Sequence, residues 1–423
     1  MQRTDAPRVA VIGGGAAGLL AAGTAARNGA AVTVIEQNDR PGKKILITGK
    51  GRCNVTNDCT PADFIPNVTK NGRFLYSAIN RFSPQDMKDL LVSLGVELKT
   101  ERGRRVFPAS DKSADILSAL LRYTSDCKFL HRKAKAIAIE DGSAVGVDTS
   151  EGTLPFDAVI LATGGASYPL TGSDGSGYAI ARSAGHAVTP LTPSLVPLVS
   201  PSPLCAEMQG LSLKNVALTV CDGDRELYRD FGEMLFTHFG MSGPMILSAS
   251  SHLRNRSFEN VRAVIDLKPA LDEPTLEKRV LSDFAKYVNR DAQNALRDLL
   301  PQTMILPFLE LSDVDPRKKI NVLTRAERSR ILYTLKHFSL PVSGFRPIEE
   351  AIVTSGGVDV KEIDPKTMMS RLVKNLYFAG EVIDVDAYTG GYNLQIAFST
   401  GYLAGHSAAA CPSKDNQPSK DNQ

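Results

Sequence analysis

Apolar and polar positions change period several times along this chain, and each change marks an element. Residues 8–12 (RVAVI) are a short β-branched apolar run, the pattern of a strand buried on both faces, and Gly13, Gly14 and Gly15 end it. Residues 16–28 are rich in Ala and Leu and stop at Gly29, which predicts a helix with a glycine C-cap. Residues 31–35 (AVTVI) predict a second buried strand. Strand, helix, strand in this order predicts a parallel sheet with crossover helices. From 36 to 57 the pattern lapses into a polar, Gly-rich connection, too long for an ordinary turn and therefore expected to be functional.

Further along, Ser83-Pro84 pairs an N-cap with a proline at the first helical position and predicts a helix over 83–94. Residues 111–123 and 175–184 predict two more helices. Gly185-His186 then reads as a helix end, with the histidine capping carbonyls. Alternating runs at 135–140 and 144–148 predict a small meander, and 158–161 is a buried strand ending in Thr163-Gly164-Gly165. Pro190, Pro193, Pro197, Pro201 and Pro203 crowd one short stretch, which marks a domain boundary. Beyond it, 216–220 and 262–267 read as strands, and about 274–336 as mostly helical with charges at helix spacing. Strand-and-glycine texture returns near 354–357 and 376–380, followed by a helix from about 393 to 404. The last twelve residues, 412–423, repeat PSKDNQ twice. That tail has no apolar residue to bury and is expected to be disordered.

Composition narrows the class. At 423 residues, 43% hydrophobic and 22% charged, the chain is globular and too long for one core. Lys plus Arg total 49 against 46 for Asp plus Glu, a net charge of +3 that supports no nucleic-acid or membrane-surface partner. Six cysteines with no C-x-x-C pair argue against a disulfide framework or a structural zinc site, and no metal is expected. No apolar run reaches the roughly 18 residues of a membrane span, and the glycines and the Arg27-Asn28 pair within 9–35 fit a folded strand-turn-helix and not a signal peptide, so a cytoplasmic protein is expected.

The strongest chemical signal is Gly13-Gly14-Gly15-Ala16-Ala17-Gly18, a G-x-G-x-x-G between strand and helix. Gly13 permits the tight turn, Gly15 lets the backbone approach a pyrophosphate, and Gly18 lets helix and strand pack closely. Glu36 follows at the end of the second strand, where an acid accepts from ribose hydroxyls. Near the other chain end, 376–381 (LYFAGE) is a strand ending in Gly380 and Glu381, a second acid placed for a cofactor hydroxyl. A dinucleotide contacted from both chain ends fits FAD better than NAD. No second strand-G-x-G-x-x-G-helix appears, so NAD(P)H, where used, is a transient co-substrate.

The sequence resembles the aminoacetone oxidase / BaiN-like FAD-dependent oxidoreductases, a branch of the two-dinucleotide-binding-domain flavoproteins. Five blocks carry the resemblance: 9–18, 42–57 (GKKILITGKGRCNVTN), 162–197, 235–244 (LFTHFGMSGP) and 378–405 (FAGEVIDVDAYTGGYNLQIAFSTGYLAG). It implies an α/β fold: a Rossmann-like FAD-binding domain from both chain ends, 1–194 and 356–411, with an inserted β-barrel-like plus helical domain at 195–355. It also implies that Ala17, Glu36, Gln37, Lys44, Thr48, Gly49, Asn54 and Thr56 surround the cofactor. Ala134 then meets the adenine through its backbone, Thr163 and Gly164 lie near the pyrophosphate, and Glu381, Asp384, Asn393, Leu394 and Gln395 approach the flavin. Lys50 departs from the family, where many relatives carry glycine.

The resemblance implies an enzyme acting on a small organic substrate, by amine oxidation or by NAD(P)H-dependent reduction of an activated double bond. Readings from other classes are a flavin-dependent RNA-binding or RNA-modifying protein and a redox-sensing flavoprotein without turnover. Candidate catalytic residues are His238, in a glycine-flanked loop and able to act as acid or base, Lys50, and Cys53, a thiol able to exchange electrons with a flavin. The sequence names neither the substrate nor the oligomeric state.

Overall fold

Five strands build the sheet that carries the glycine motif: β1 (Arg8–Ile12), β2 (Ala31–Glu36), β3 (Lys128–His131), β4 (Ala158–Leu161) and β5 (Leu376–Phe378). Their order is β5-β4-β1-β2-β3, and every neighbouring pair is parallel. The inner strands are apolar almost throughout because both faces are covered. β5 pairs Leu376 with Val159 and Phe378 with Leu161, which brings the end of the chain into the same sheet as its beginning. The pattern of apolar positions did not reveal β3. As an edge strand it is half exposed, and KFLH has no apolar run.

The computed structural model describes residues 6–412, so the expected disordered tail lies outside them except for its first residue. The chain divides into two compact units, one running to Ser194 and resuming at Ile348, the other Leu195–Pro347. Each has its own apolar core. The second boundary falls earlier than the expected 355. Thr192–Ser194 pairs antiparallel with Val353–Ser355, which ties the stretch after Ile348 to the sheet unit.

Two helices of the larger unit decide the geometry of its site: α1 (Ala16–Arg27) and α2 (Tyr392–Ala409). A Cβ on Gly401 would meet the Ala17 carbonyl oxygen at 2.4 Å, and one on Gly405 the Ala21 oxygen at 2.3 Å. Backbones therefore touch, and both numbers rise together. The helices run in the same direction and bring their N-termini to the same end.

The smaller unit is a seven-stranded antiparallel sheet built around the hairpin Ser212–Asp222 and Arg225–Thr237. Phe338–Pro341 pairs with Val261–Asp266 at one end of the order, and Gly344–Phe345 pairs with Leu198–Val199 at the other. One continuous segment thus joins both ends, and the sheet curls round as a barrel does. The expected helical stretch breaks into short pieces between Glu273–Lys286 and Arg325–Lys336, the latter opened by a Thr324–Glu327 capping box. Among the described residues no helix is long and apolar enough to cross a membrane.

Candidate functional site

A cavity in the larger unit opens where the β1–α1 turn and the N-terminus of α2 meet. Gly13, Gly15, Ala17, Glu36, Lys44, Thr48, Ala134, Thr163, Glu381 and Leu394 all line it. Neither helix has a side-chain N-cap. Their first N–H groups and positive dipole ends are therefore left for a ligand with negative charge.

The glycines divide the work as the motif requires. Gly13 stands at φ 101°, and a Cβ there would lie 2.6 Å from the Ala162 oxygen. A Cβ on Gly18 would lie 1.8 Å from the Gly13 oxygen, so this glycine serves helix–strand packing and lines nothing. A Cβ on Gly15 would meet nothing within 4 Å. It faces open space in the cavity, the cradle that a pyrophosphate needs. Thr163 Oγ1, in the same wall, is buried with no hydrogen-bond partner among the described residues. These features fit a dinucleotide.

Glu36 ends β2, buried at the cavity edge. Its Oε2 accepts from the Gly14 N–H at 2.6 Å, while Oε1 accepts from the Asn38 N–H and Nδ2, both at 2.8 Å. The acid therefore braces the glycine turn as well as facing the cavity. Asn38, two residues on in the loop, gave no signal in the sequence. Gln37 Nε2 donates to the Gly172 carbonyl at 2.9 Å, closing the same edge. Lys44 and Glu381, 337 positions apart, meet at 2.9 Å, and Lys44 also donates to Ser167 Oγ at 2.8 Å. Glu381 Oε1 accepts from the Thr354 N–H at 2.8 Å. Ser167 and Thr354, which hold this pair, were not expected site residues, because only pairing between distant segments brings them there.

Several expected cofactor residues are placed differently. Thr56 and Gln395 are fully buried and bind each other, Oγ1 to Oε1 at 2.7 Å, instead of lining the cavity. Asp384 is buried and pairs with Lys70 at 2.7 Å. Gly380 packs on α1, where a Cβ would lie 2.7 Å from that of Ala17. Asn393 does line the cavity, but its side chain bridges the backbone N–H and carbonyl of Ala387 at 2.9 and 2.8 Å. Gly49 and Asn54 lie on the adjoining loop without lining the cavity, and Asn54 Oδ1 is buried without a partner among the described residues. Gly164, Gln37 and Leu394 are in the lining as expected.

The three catalytic candidates separate. Cys53 is fully buried, and loss of solvation pushes its thiol up to about 11, only partly offset by a hydrogen bond with Thr48. Buried and outside the cavity lining, Cys53 is not placed as the reactive thiolate that the sequence allows. His238 belongs to the smaller unit, at the exposed turn after Arg225–Thr237, edge-on to Phe239. Lys50 is exposed on the loop after Thr48, with φ 60°. His186 caps the preceding helix through its N–H, which donates to the Ala181 carbonyl at 3.0 Å, while its ring turns inward to Glu362 and Ser370.

Comparison with known proteins gives this geometry its context. The model of the HI0933-like protein Rossmann domain matches residues 7–407. The chain belongs to the HI0933-like family. It is 33% identical to the 3-dehydro-bile acid delta(4,6)-reductase of Clostridium scindens, over 96% of this chain and 100% of that protein. It is 31% identical to the ribosomal RNA dihydrouridine synthase of Escherichia coli, over 98% of this chain and 100% of that protein. Among solved structures, a flavocytochrome c3 fumarate reductase superposes with a TM-score of 0.50 at 17% identity, covering 96% of this chain and 78% of its own. A 3-ketosteroid-delta4-(5alpha)-dehydrogenase from Rhodococcus jostii gives 0.50 at 16%, covering 95% and 96%. These two share the fold. HI0933-like proteins are FAD-dependent oxidoreductases, and this chain is an enzyme of that class, with FAD as the dinucleotide its cavity fits.

Proposed function

We propose that this chain is a cytoplasmic reductase that takes electrons from NAD(P)H and adds hydrogen across a carbon–carbon double bond conjugated to a carbonyl, on a small organic substrate. The observation that carries the reading is the uncapped N-terminus of α2 opening into the same cavity as Gly13 and Gly15. Such an end favours negative charge by about 0.3–1 kcal/mol, more where partly buried. It suits a ring that gains charge when NAD(P)H reduces it. Bound FAD supplies the hydride chemistry, while the protein binds, orients and tunes it.

The chain's own parts then have distinct tasks. Gly15 and the start of α1 hold the pyrophosphate, and Glu36 accepts from the ribose. The Lys44–Glu381 pair, fixed by Ser167 and Thr354, presents a rigid polar edge. The buried Cys53 leaves no accessible thiol in its loop to relay electrons. The bile acid reductase and the dihydrouridine synthase both carry names that denote reduction, which supports this direction over amine oxidation. The uracil double bond is also conjugated to a carbonyl. A small-molecule substrate is preferred because the cations lining the cavity, Lys43, Lys44 and Arg132, are each paired with a carboxylate, so among the described residues the cavity wall offers no unpaired cation to a nucleic-acid backbone. All six cysteines are free, in keeping with a reducing compartment.

An anaerobic test separates the readings. NADH or NADPH should bleach the FAD-loaded protein, and a cyclic enone should restore its colour. Bleaching by amines with none by NAD(P)H would overturn the proposal. Restoration of colour by a uridine-containing RNA and not by enones would move the substrate to nucleic acid.

A further inference from the structure

We propose that the amide oxygen of Asn38 is a second acceptor for the adenosine ribose of the dinucleotide, so that Glu36 and Asn38 between them read both of its hydroxyls. This rests on the reading above that Glu36 accepts from that ribose.

A ribose presents two neighbouring hydroxyl donors, and Glu36 by itself lacks room for both. Its Oε2 accepts from the Gly14 N–H at 2.6 Å, and its Oε1 from the N–H and Nδ2 of Asn38, both at 2.8 Å. Of the about four acceptor positions of a carboxylate, one is left. One hydroxyl can donate there, and the other needs an acceptor alongside.

Asn38 supplies one. It lines the cavity and is half-buried. Its Nδ2 carries two hydrogens, and both are spent, one on Glu36 Oε1 and the other on the Thr171 carbonyl at 3.1 Å. These bonds also fix which way the amide faces. Turned over, Oδ1 would meet the Glu36 carboxylate and the Thr171 carbonyl, oxygen against oxygen. Oδ1 is therefore left as an open acceptor on a residue of the cavity wall, with no hydrogen bond of its own among the described residues. It stands one amide width from the nitrogen that holds Glu36, a separation that suits hydroxyls on neighbouring carbons. Gly172, also in the lining, keeps the amide there: it stands at φ 101°, and a Cβ on it would lie 2.2 Å from Nδ2 and 3.6 Å from Oδ1. Gln37 Nε2 donates to the Gly172 carbonyl at 2.9 Å and ties the two segments together.

The test is competition with FAD for the FAD-free full chain, read from flavin fluorescence, by ADP, 2′-deoxy-ADP and 3′-deoxy-ADP. Relative to ADP, one analogue should bind about 10- to 100-fold more weakly, having lost its bond to the charged Glu36, and the other about three- to tenfold, having lost its bond to the Asn38 amide. Asn38→Leu, which fills the same space without an acceptor and covers the Glu36 oxygen that the amide leaves, should erase the smaller ratio and keep the larger. Asn38→Asp keeps an acceptor in place but sets a second carboxylate against Glu36, so all three nucleotides should weaken together while the smaller ratio survives. Gly172→Ala, which displaces the amide, should act as Asn38→Leu does. An Asn38 that merely holds the loop would change all three affinities by one factor. That result in Asn38→Leu, or an unmodified chain that tells only one analogue from ADP, overturns the proposal and leaves Glu36 at the ribose. ADP that does not displace FAD at all overturns the placement of the ribose as well.

Discussion

Replacing Glu36 tests the dinucleotide site at the residue where sequence and structure both converge. Three donors already converge on its carboxylate: the Gly14 N–H at 2.6 Å on Oε2, and the Asn38 N–H and Nδ2, each at 2.8 Å, on Oε1. A carboxylate offers about four acceptor positions, so one remains for a ribose hydroxyl of the cofactor. A hydrogen bond to a charged group contributes about 1.5–3 kcal/mol, which is about 10- to 100-fold in the dissociation constant. Glu36→Ala should therefore weaken FAD binding by about that factor. Glu36→Gln is the sharper probe. An amide has one oxygen and one NH₂, and donors stand on both sides of this carboxylate. Whichever way the amide turns, NH₂ meets an N–H and leaves a buried donor unpaired, at about 1–3 kcal/mol. The isosteric variant should thus bind FAD no better than Glu36→Ala and should melt at a lower temperature than the unmodified chain. Fluorescence titration of the apoprotein with FAD, with calorimetry alongside, reads both effects. A Glu36→Gln protein indistinguishable from the unmodified chain in FAD affinity would refute the assigned geometry.

The two motif glycines should part company under the same substitution. Gly18→Ala puts a methyl 1.8 Å from the Gly13 oxygen, a backbone atom that cannot step aside, and should cost about 3 kcal/mol of stability with loss of FAD. Gly15→Ala, with nothing within 4 Å, should leave the unfolding temperature nearly unchanged while FAD binding falls; equal melting of the two would contradict these placements. His186 is buried, and loss of solvation outweighs Glu362 to hold its pKa below the ordinary 6.5. Its Nδ1 faces Glu362 at 3.0 Å, and Nε2 faces Ser370 Oγ at 2.9 Å, an oxygen that already accepts from the Leu372 and Val373 N–H groups. The folded protein then binds fewer protons than the unfolded chain as pH falls below 6.5, so this part of the stability is present above 6.5 and lost on acidification. The drop in unfolding temperature between neutral and mildly acid pH should be smaller in His186→Asn than in the unmodified chain; equal drops would count against it. Cys53 should resist a thiol reagent at mildly alkaline pH until the protein unfolds, as its burial and a pKa of about 11 require, and rapid native-state labelling of that residue would refute the packing.

Local chemistry made much of this protein legible in its sequence. β1, α1 and β2 were readable because a β-branched run, three glycines and an Ala-rich stretch each permit few backbones. Gly13, Gly15, Gly18 and Glu36 could be assigned because a turn, a cradle, a close approach and an acceptor follow from residue type at fixed spacing. The Ser83 cap, realised with Asp86 as a capping box, was legible for the same reason. Tertiary structure decided what depends on partners far away in the chain. Thr56 and Gln395 have the polarity of ligand contacts, yet they satisfy each other in the core because α2, which carries Gln395, packs beside the short strand that carries Thr56. The Lys44–Glu381 pair exists only because β5 joins β4. The inertness of Cys53, and the buried ring of His186 that bridges Glu362 and Ser370 while its N–H caps the Ala181 carbonyl, come from burial that no local pattern records. Spacing along a chain fixes backbone options within a few residues, whereas solvent exclusion and pairing are set by whatever the fold brings alongside, and those two decide whether a polar side chain faces a ligand or a neighbour.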